Sequence, residues 1–399
     1  MKDNLATCLP VLVLSFLLTA CTNHQDNRQW YKGNLHTHSY WSDGDEFPEM
    51  IMDWYKKNGY HFVALSDHNI LAEGEKWKRI PGTSIHQNGF EKYLQKYGND
   101  WVVYRVDSGR TEVKLKTLEE YRKLFEEEHF LIIRSEEITD RFENKPVHLN
   151  ATNIQTFIPP QGGSSVADVM QRNVDAVLAQ RAETGTPMFP HINHPNFFYA
   201  VSVDDMIQLR GERFFEVYNG HPMVNNFGDS LRPGMEEMWD RINIAYAKRG
   251  QPLMYGMATD DSHNYHQIGS AYSNPGRGWV MVLANALAPE SLIAAMEAGD
   301  FYSSTGVVLE HVTFRKNKLT VQVKAEPGVA YTIQFIGVTA SSGMTSILKE
   351  ERTTSSALEL EDDILFVRAK IISDRLKVNP YGEGELETAW TQAVMKNPR

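Results

Sequence analysis

Short apolar runs alternate with helical patterns through most of the chain. The runs at residues 62–65, 130–133 and 188–192 predict buried strands, and the apolar spacing of residues 118–128 and 166–184 predicts helices. Strands that alternate with helices indicate a mainly parallel sheet, and roughly seven such units favour a closed or nearly closed barrel. The predicted fold class is therefore α/β, a distorted seven-stranded β/α barrel of the TIM-like kind.

This rhythm stops after residue 299. Residues 307–399 contain short β-like runs separated by turn residues, which predicts a small β-sandwich-like domain after a barrel domain of residues 30–306. Residues 69–99 break the strand–helix pattern and are rich in glycine, lysine and aromatic side chains. We expect them to form an insertion or a lid over the loops of the first strands.

The N-terminus indicates export. A short apolar run at residues 9–18 leads into a Leu-Thr-Ala-Cys sequence, which resembles a bacterial lipoprotein signal cleaved before Cys21. Residues 1–20 are then a signal peptide, residues 21–29 a tether, and the lipid on Cys21 the only membrane attachment. The expected location is the bacterial cell envelope, at the outer membrane, in the periplasm or on the cell surface. A plain secretory signal is the alternative.

Composition narrows the possible partners. The 399 residues carry a formal net charge of −11, which argues against a nucleic-acid partner bound to a broad basic surface. The cysteines, Cys8 and Cys21, leave no thiol near the motifs described below, so thiol catalysis is excluded. The absence of nucleophile-elbow, P-loop and zincin motifs argues against those classes of enzyme. A small-molecule substrate is expected, and the oligomeric state is left open.

Histidine and acidic residues cluster where the predicted strands end. His36 and His38 alternate on the first predicted strand, residues 30–38, so both imidazoles leave the same face. The other candidate metal ligands follow at later strand ends: Asp43, His68, Glu137, His148, His194, Asp261 and His263. Imidazoles and carboxylates without a thiolate suit Zn²⁺, Mn²⁺ or Fe²⁺. Nine ligands are too many for one tetrahedral ion, so two or three divalent cations are expected.

In this order, the motifs resemble those of the PHP (polymerase and histidinol phosphatase) superfamily of metallohydrolases, across residues 30–305. The segments at residues 216–220, 278–280 and 301–306 are similar to its carbaryl-hydrolase-like branch. The resemblance implies a PHP barrel with a trinuclear site at the carboxyl ends of the strands. It also implies which residues bind each ion. His36, His38, Glu137 and Asp261 would bind the first ion, and Glu137 would bridge to a second ion bound by His148 and His194. Asp43, His68 and His263 would bind the third.

The resemblance and the ligand set predict a metal-dependent hydrolase. A phosphoesterase acting on a small phosphorylated substrate is favoured, with a hydroxide that bridges the ions as the nucleophile. Because the same hydroxide can attack a carbonyl carbon, hydrolysis of carboxylic esters, carbamates or amides is the alternative. An alternative of another class is a non-catalytic surface lipoprotein that binds a glycan or a partner.

Four residues are predicted to be catalytic: Asp67, His68, Glu137 and Asp261. Asp67 is expected to orient His68 or a neighbouring ligand, and a helix cap is the alternative interpretation. The leaving group needs a proton or a cation, which the third ion or a water on Asp67 or His68 is expected to supply.

The predicted substrate-binding residues are Arg134, Asn193, Asn219 and Arg277. A cationic wall around Arg134 and Arg277 favours a phosphate substrate, whereas an apolar wall favours a carbonyl substrate. His191 also lies near a strand end, but it is outside the motifs that resemble the superfamily.

Overall fold

The computed structural model describes residues 27–396. The predicted signal peptide, Cys21 and most of the predicted tether lie outside the described residues. Within residues 27–396, no helix combines the length and the apolar character needed to cross a bilayer.

Helices occur only up to residue 297 of the described chain, and strands alone follow. The helices are α1 (Pro48–Lys57), α2 (Ser84–Tyr97), α3 (Leu118–Phe125), α4 (Val166–Thr184), α5 (Val203–Met206), α6 (Met235–Lys248) and α7 (Pro289–Glu297). The strands are β1 (Gln29–Asn34), β2 (Phe62–Leu65), β3 (Trp77–Arg79), β4 (Tyr104–Asp107), β5 (Arg110–Lys114), β6 (Leu131–Phe142), β7 (Lys145–Thr152), β8 (Phe189–Ile192), β9 (Phe214–Asn219), β10 (Tyr255–Thr259), β11 (Trp279–Ala284), β12 (Phe301–Ser304), β13 (Leu309–Arg315), β14 (Lys318–Val323), β15 (Tyr331–Thr339), β16 (Thr345–Arg352), β17 (Ser355–Glu359), β18 (Ile364–Leu376) and β19 (Leu386–Thr391).

One sheet of 13 strands organises the molecule and confirms the predicted α/β class. Its order is β10-β9-β8-β7-β6-β2-β1-β11-β12-β19-β18-β15-β16. The pairs β1–β2, β2–β6, β8–β9 and β9–β10 are parallel, and the other neighbours are antiparallel. Strands β2, β8, β9 and β10 are buried along their whole length, as expected for strands that are covered on both faces.

Side chains connect edge strand β10 to the region of β12 and β19. Ser303 Oγ donates to the Gly256 carbonyl oxygen (2.8 Å). The Gln392 side chain accepts from Gly256 N (2.9 Å) and donates to the Gly256 oxygen (3.0 Å). These bonds satisfy backbone groups that an edge strand otherwise leaves unpaired. No backbone ladder joins β10 to β12 within the described chain, so closure into a barrel stays a prediction.

The segment that interrupts the strand–helix pattern has a structure of its own. Helix α2 lies beside a three-stranded sheet of order β3-β5-β4. Tyr93 of α2 stacks on Phe47 with ring centroids 3.9 Å apart, and both belong to a buried cluster that includes Tyr40 and Trp41 of the loop after β1. The segment therefore packs on that loop, and its action as a lid stays a prediction.

The C-terminal strands are attached to the helical part through a buried ion pair. Arg368 of β18 donates from Nε to Asp240 Oδ1 (2.7 Å) and from Nη2 to Asp240 Oδ2 (2.9 Å) on α6. Glu236, one turn earlier on α6, lies 3.2 Å from the same guanidinium. Because β19, β18, β15 and β16 also continue the main sheet, the C-terminal region is joined to the rest by both backbone and side chains. The domain boundary at residue 306 stays a prediction.

Replacing Arg368 by Met should lower the free energy of unfolding by about 3–5 kcal/mol, because it leaves the Asp240 carboxylate buried without its partner. Urea denaturation measures this change. The matched control is Arg352→Met, since Arg352 forms an exposed ion pair with Asp374 (3.9 Å) and its loss should change stability by less than about 1 kcal/mol. Equal losses in the two variants would contradict the importance of the buried pair.

Candidate metal centre

The nine predicted metal ligands meet at one end of the central sheet, although they are spread from residue 36 to residue 263. Their ligand atoms form overlapping groups, and within each group all atoms lie within 4.8 Å of one another. The groups are His38–Asp43–His68–His263, His36–His38–Asp261, His36–Glu137–His194 and His68–Glu137–His148. We call these nine residues the ligand cluster.

Backbone hydrogen bonds between loops place the first two histidines. Beyond the end of β1 at Asn34, His38 N donates to Ser262 O (2.9 Å), and Asp261 N donates to His36 O (3.0 Å). The two imidazoles face each other with their Nε2 atoms 3.1 Å apart. The observed strand β1 therefore ends earlier than the predicted strand of residues 30–38, but both imidazole rings still lie on the same side of the chain.

Glu137 occupies the centre of the ligand cluster. Its buried carboxylate approaches five imidazole nitrogens: His36 Nε2 (3.6 Å), His38 Nε2 (3.4 Å), His68 Nδ1 (2.6 Å), His148 Nδ1 (3.1 Å) and His194 Nε2 (3.4 Å). Asn193 Nδ2 donates to Glu137 Oε1 (2.8 Å). Asn193, predicted to bind substrate, therefore orients the central carboxylate of the ligand cluster.

Asp261 is the second carboxylate shared by several histidines. Its Oδ1 lies 3.2 Å from Nε2 of both His36 and His38. Asn219 Nδ2 donates to Asp261 Oδ2 (3.1 Å), so Asn219 also orients a ligand rather than facing open space. Asp261 and His194 have left-handed backbone conformations, with φ of 48° and 25°. Such conformations cost on the order of 1–3 kcal/mol each and concentrate at functional sites.

Three ligand atoms of the cluster are buried and make no hydrogen bond of good geometry within residues 27–396. His38 Nδ1 is one, and the other two, His148 Nδ1 and Glu137 Oε2, make only the carboxylate–imidazole contacts given above. Burial, and then the neighbouring His263 and His68 rings, lowers the pKa of His38 to about 3, so this imidazole is neutral at neutral pH. Despite burial, the neighbouring carboxylates raise the pKa of His36 and His263, and they raise the pKa of His68 to about 11. Imidazoles beside carboxylates fit divalent cations of the Zn²⁺, Mn²⁺ or Fe²⁺ kind, which would replace the protons on these rings.

The family resemblance assigns His148 and His194 to one ion together with Glu137. Both imidazoles approach the same carboxylate oxygen, Glu137 Oε1, at 3.1 and 3.4 Å, and their ring centroids lie 5.2 Å apart. His148 also lies near His68, and His194 also lies near His36, so the assignment of ligands to particular ions stays a prediction.

Glu216 of β9 is a functional candidate that the sequence interpretation did not select. Its Oε1 lies 2.6 Å from His36 Nδ1, and its Oε2 accepts from Asn219 Nδ2 (2.8 Å) and from His194 N (2.8 Å). Despite burial, the His36 and His191 rings hold the pKa of Glu216 well below its usual range. Glu216 therefore turns the other nitrogen of His36 toward the cluster, as carboxylate partners of metal-binding histidines do. The sequence did carry a signal for this residue, namely a single acidic residue within an otherwise mostly apolar predicted strand.

Asp67 holds the loop after β1. Ser39 donates from N to Asp67 Oδ1 (2.8 Å) and from Oγ to Oδ2 (2.7 Å), and Ser42 Oγ donates to Oδ1 (2.6 Å). The expectation was that Asp67 orients His68 or a neighbouring ligand. His68 Nδ1 faces Thr139 Oγ1 (2.6 Å) instead of Asp67. Asp67 positions the loop that carries three of the ligands, His36, His38 and Asp43, and its catalytic role stays a prediction.

Arg134 and Arg277, which are predicted to bind substrate, make their contacts outside the ligand cluster. Arg134 pairs with Glu73. Arg277 is fully buried, and its guanidinium donates to the Gly220 oxygen (2.7 Å) and to the Gly269 oxygen (2.9 Å). Through these contacts both arginines hold loops, and their substrate-binding role stays a prediction.

No family model matches the chain, and no curated protein does. Among solved structures, the chain is similar to a two-domain protein from Bacteroides vulgatus that contains a predicted PHP-like metal-dependent phosphoesterase, with 15% identity, a TM-score of 0.42 and coverage of 92% of this chain and 96% of that chain. It is also similar to a candidate metal-dependent phosphoesterase from Bifidobacterium adolescentis, with 13% identity, a TM-score of 0.29 and coverage of 59% and 88%. A third is an amidohydrolase from Chromobacterium violaceum with bound sulfate and no metal, with 12% identity, a TM-score of 0.28 and coverage of 58% and 87%. Similarities at this level do not identify a function for the chain.

Replacing Glu216 by Gln should weaken metal binding about 10–100-fold, because His36 loses the carboxylate that fixes its orientation. Competition with a fluorescent chelator measures the affinity without any assay of activity. The matched control is Glu212→Gln, since Glu212 is buried near the other end of the same strand and accepts from Arg213 N (2.7 Å). Unchanged metal affinity in Glu216→Gln would contradict the assignment.

Proposed function

We propose that the chain is a metal-dependent hydrolase of the PHP kind, with its cations held by the ligand cluster. The observation that carries the proposal is the buried Glu137 carboxylate, which faces five imidazole nitrogens at 2.6–3.6 Å. One carboxylate among that many imidazoles suits a bridge between cations. Asp261 adds a second carboxylate shared by two histidines.

The residues of the chain supply a fixed geometry for hydrolysis. Divalent cations in such a site activate water and stabilise negative charge on the reacting oxygens. Asn193 donates to Glu137 and Asn219 donates to Asp261, so each carboxylate keeps one orientation. Ligands that are already oriented need no rearrangement when charge develops on the substrate.

Access to the cluster is one-sided. The side chains of Asp43 and His68 are 59% and 26% exposed, whereas those of His36, His38 and Glu137 have no exposure. The reacting bond of a substrate therefore approaches past Asp43 and His68. The buried nitrogens of His36 and His38 would bind the cations.

The wall beside the cluster favours a carbonyl substrate. The Phe197 ring lies 6.3 Å from the His148 ring, and Phe198 lines the same groove. The two arginines expected to form a cationic wall, Arg134 and Arg277, make their contacts elsewhere. We therefore place hydrolysis of a carboxylic ester, carbamate or amide first.

A phosphoester is the second candidate, and the number of ligand groups favours it. His38, Asp43, His68 and His263 form a group of their own in addition to the groups around Glu137. Three cations would neutralise a phosphate without any arginine. The predicted phosphorylated substrate is therefore kept in the test below.

The predicted lipid anchor on Cys21 and the envelope location are part of the proposal. Strand β1 runs from Gln29 toward His36, so the tether joins the strand at the end opposite the ligand cluster. An attachment before Gln29 leaves the ligand cluster, at the other end of β1, free to meet a substrate from solution.

Chelation should abolish hydrolysis, and re-addition of Mn²⁺ or Zn²⁺ should restore it, because the activated water depends on the cations. Elemental analysis of the same samples relates activity to bound metal.

Asp261→Asn should lower kcat/KM by about a hundredfold or more, whereas Asp229→Asn, at an exposed residue, should leave kcat/KM unchanged. Full activity in the metal-free protein would sink the proposal, and a non-catalytic binding protein would show no metal-dependent turnover at all.

A comparison of substrates at equal metal loading should rank an aryl carboxylic ester above a phosphomonoester and a phosphodiester in kcat/KM, because the aromatic rings of Phe197 and Phe198 lie beside His148. Initial rates with matched 4-nitrophenyl esters measure the order. Preference for either phosphate ester would reverse the two candidates and leave the metal site unchanged.

A further inference from the structure

Strands β6 and β7 form a ribbon that continues beyond the neighbouring strand. β6 pairs with β2 only over residues 131–134, whereas it pairs with β7 over residues 135–142. One face of the ribbon carries three successive cross-strand pairs: Glu137–Asn150, Thr139–His148 and Arg141–Pro146. The same face therefore begins at the ligand cluster and ends at Arg141.

A groove of about 600 Å³ follows this face of the ribbon. Thr139 and His148 line its inner end, and the rest is lined by Asp140, Arg141, Glu143, Asn144, Pro146, Phe197 and Phe198. His148 belongs to the ligand cluster, so the groove opens directly onto the cluster. A substrate whose reacting bond lies at the cations can place its remaining length here.

The opposite wall of the groove is an aromatic turn. The Phe197 ring lies 5.1 Å from the His194 ring and 4.5 Å from the Phe198 ring. Phe198 is 61% exposed and has a φ of 52°, and Tyr199 follows with a φ of 51°. Two successive non-glycine residues thus have left-handed backbone conformations, which are energetically costly. They keep the apolar Phe198 ring in solvent, and this costly arrangement indicates a binding role for the ring.

Arg141 provides the one cation of this groove in the described chain. It is exposed, and its guanidinium has no hydrogen bond or ion pair with any residue from 27 to 396. The neighbouring Asp140 carboxylate is already used, since its Oδ2 accepts from Gly162 N (2.8 Å) and from Asn173 Nδ2 (2.9 Å). Asp140 and Glu143 both line the groove and add negative charge to it, so the groove suits a single acidic group placed at Arg141 rather than a polyanion.

We propose that this groove binds one side of the substrate, and that this side carries an aromatic group followed by one acidic group. The proposal rests on the proposed function. The aromatic group packs on Phe198, and the acidic group pairs with Arg141. Strand residues rise about 3.4 Å each, so the acidic group lies roughly 7–14 Å from the bond that is hydrolysed.

Calorimetric titration of the metal-loaded full chain with 4′-hydroxybiphenyl-4-carboxylate tests the groove without catalysis. Arg141→Gln should weaken its binding about tenfold and leave 4-hydroxybiphenyl unaffected, because only the acid loses a charge-assisted hydrogen bond. Phe198→Ala should weaken both ligands about fivefold.

The matched control is Lys145→Gln, which removes a positive charge from the same hairpin. Lys145 pairs with Phe142, so its side chain lies on the other face of the ribbon. Equal effects of Arg141→Gln and Lys145→Gln would overturn the proposal, and so would failure of the unaltered chain to prefer the acid. For the aromatic position, Phe157→Ala is the control, because Phe157 is 44% exposed but does not line the groove.

Hydrolysis of the acetyl and phosphoryl esters of the same two phenols separates this inference from the proposed function. Arg141→Gln should raise KM about tenfold for the esters that carry the carboxylate, with kcat unchanged. If all variants cleave every ester with the same KM, the groove assignment fails and the hydrolase stands. If the chain binds the acid through Arg141 but the metal-loaded protein cleaves none of the esters, the proposed function fails alone.

Discussion

The structure depends on placing the Glu137 carboxylate in the interior among histidines. The carboxylate has no exposure and lies 2.6–3.6 Å from five imidazole nitrogens. A buried carboxylate without compensating charge costs several kcal/mol, so positive charge has to accompany it. That charge comes either from protons on the imidazoles or from cations. Because histidine binds a cation only when it is neutral, cations and protons compete for the same nitrogens.

The central strands keep this charged cluster in one geometry. β8, β9 and β10 are buried along their whole length. β8 and β10 end directly before the loops that carry His194 and Asp261, and β9 lies between them in the sheet. Close-packed apolar strands do not shift easily, so the loops can hold the left-handed backbone of His194 and Asp261. Local strain at the ligands is thus balanced by the packing of the strands below them.

The sequence predicted which residues meet because most of the ligands follow apolar runs, and strand ends share one edge of a sheet. It did not predict the direction of each side chain. His148 shows this limit, because it lies inside antiparallel β7 and reaches the cluster from the face that it shares with Thr139. Arg277 shows the same limit: an arginine beside a ligand-bearing loop has the same sequence signature whether it binds substrate or the Gly220 carbonyl. Glu216 was missed because the prediction relied on strand ends, whereas Glu216 lies inside buried β9.

The antiparallel β6–β7 pair also explains how one scaffold can combine a fixed metal site with a variable substrate site. Parallel strands are followed by loops at the edge of the sheet, and loops change conformation easily. An antiparallel ribbon instead continues past that edge in register, so Arg141 is related to Glu137 by strand geometry alone. Substitution at residue 141 or 146 changes what the groove recognises and leaves every ligand untouched. Recognition is thereby separated from metal binding while both remain on a single rigid element.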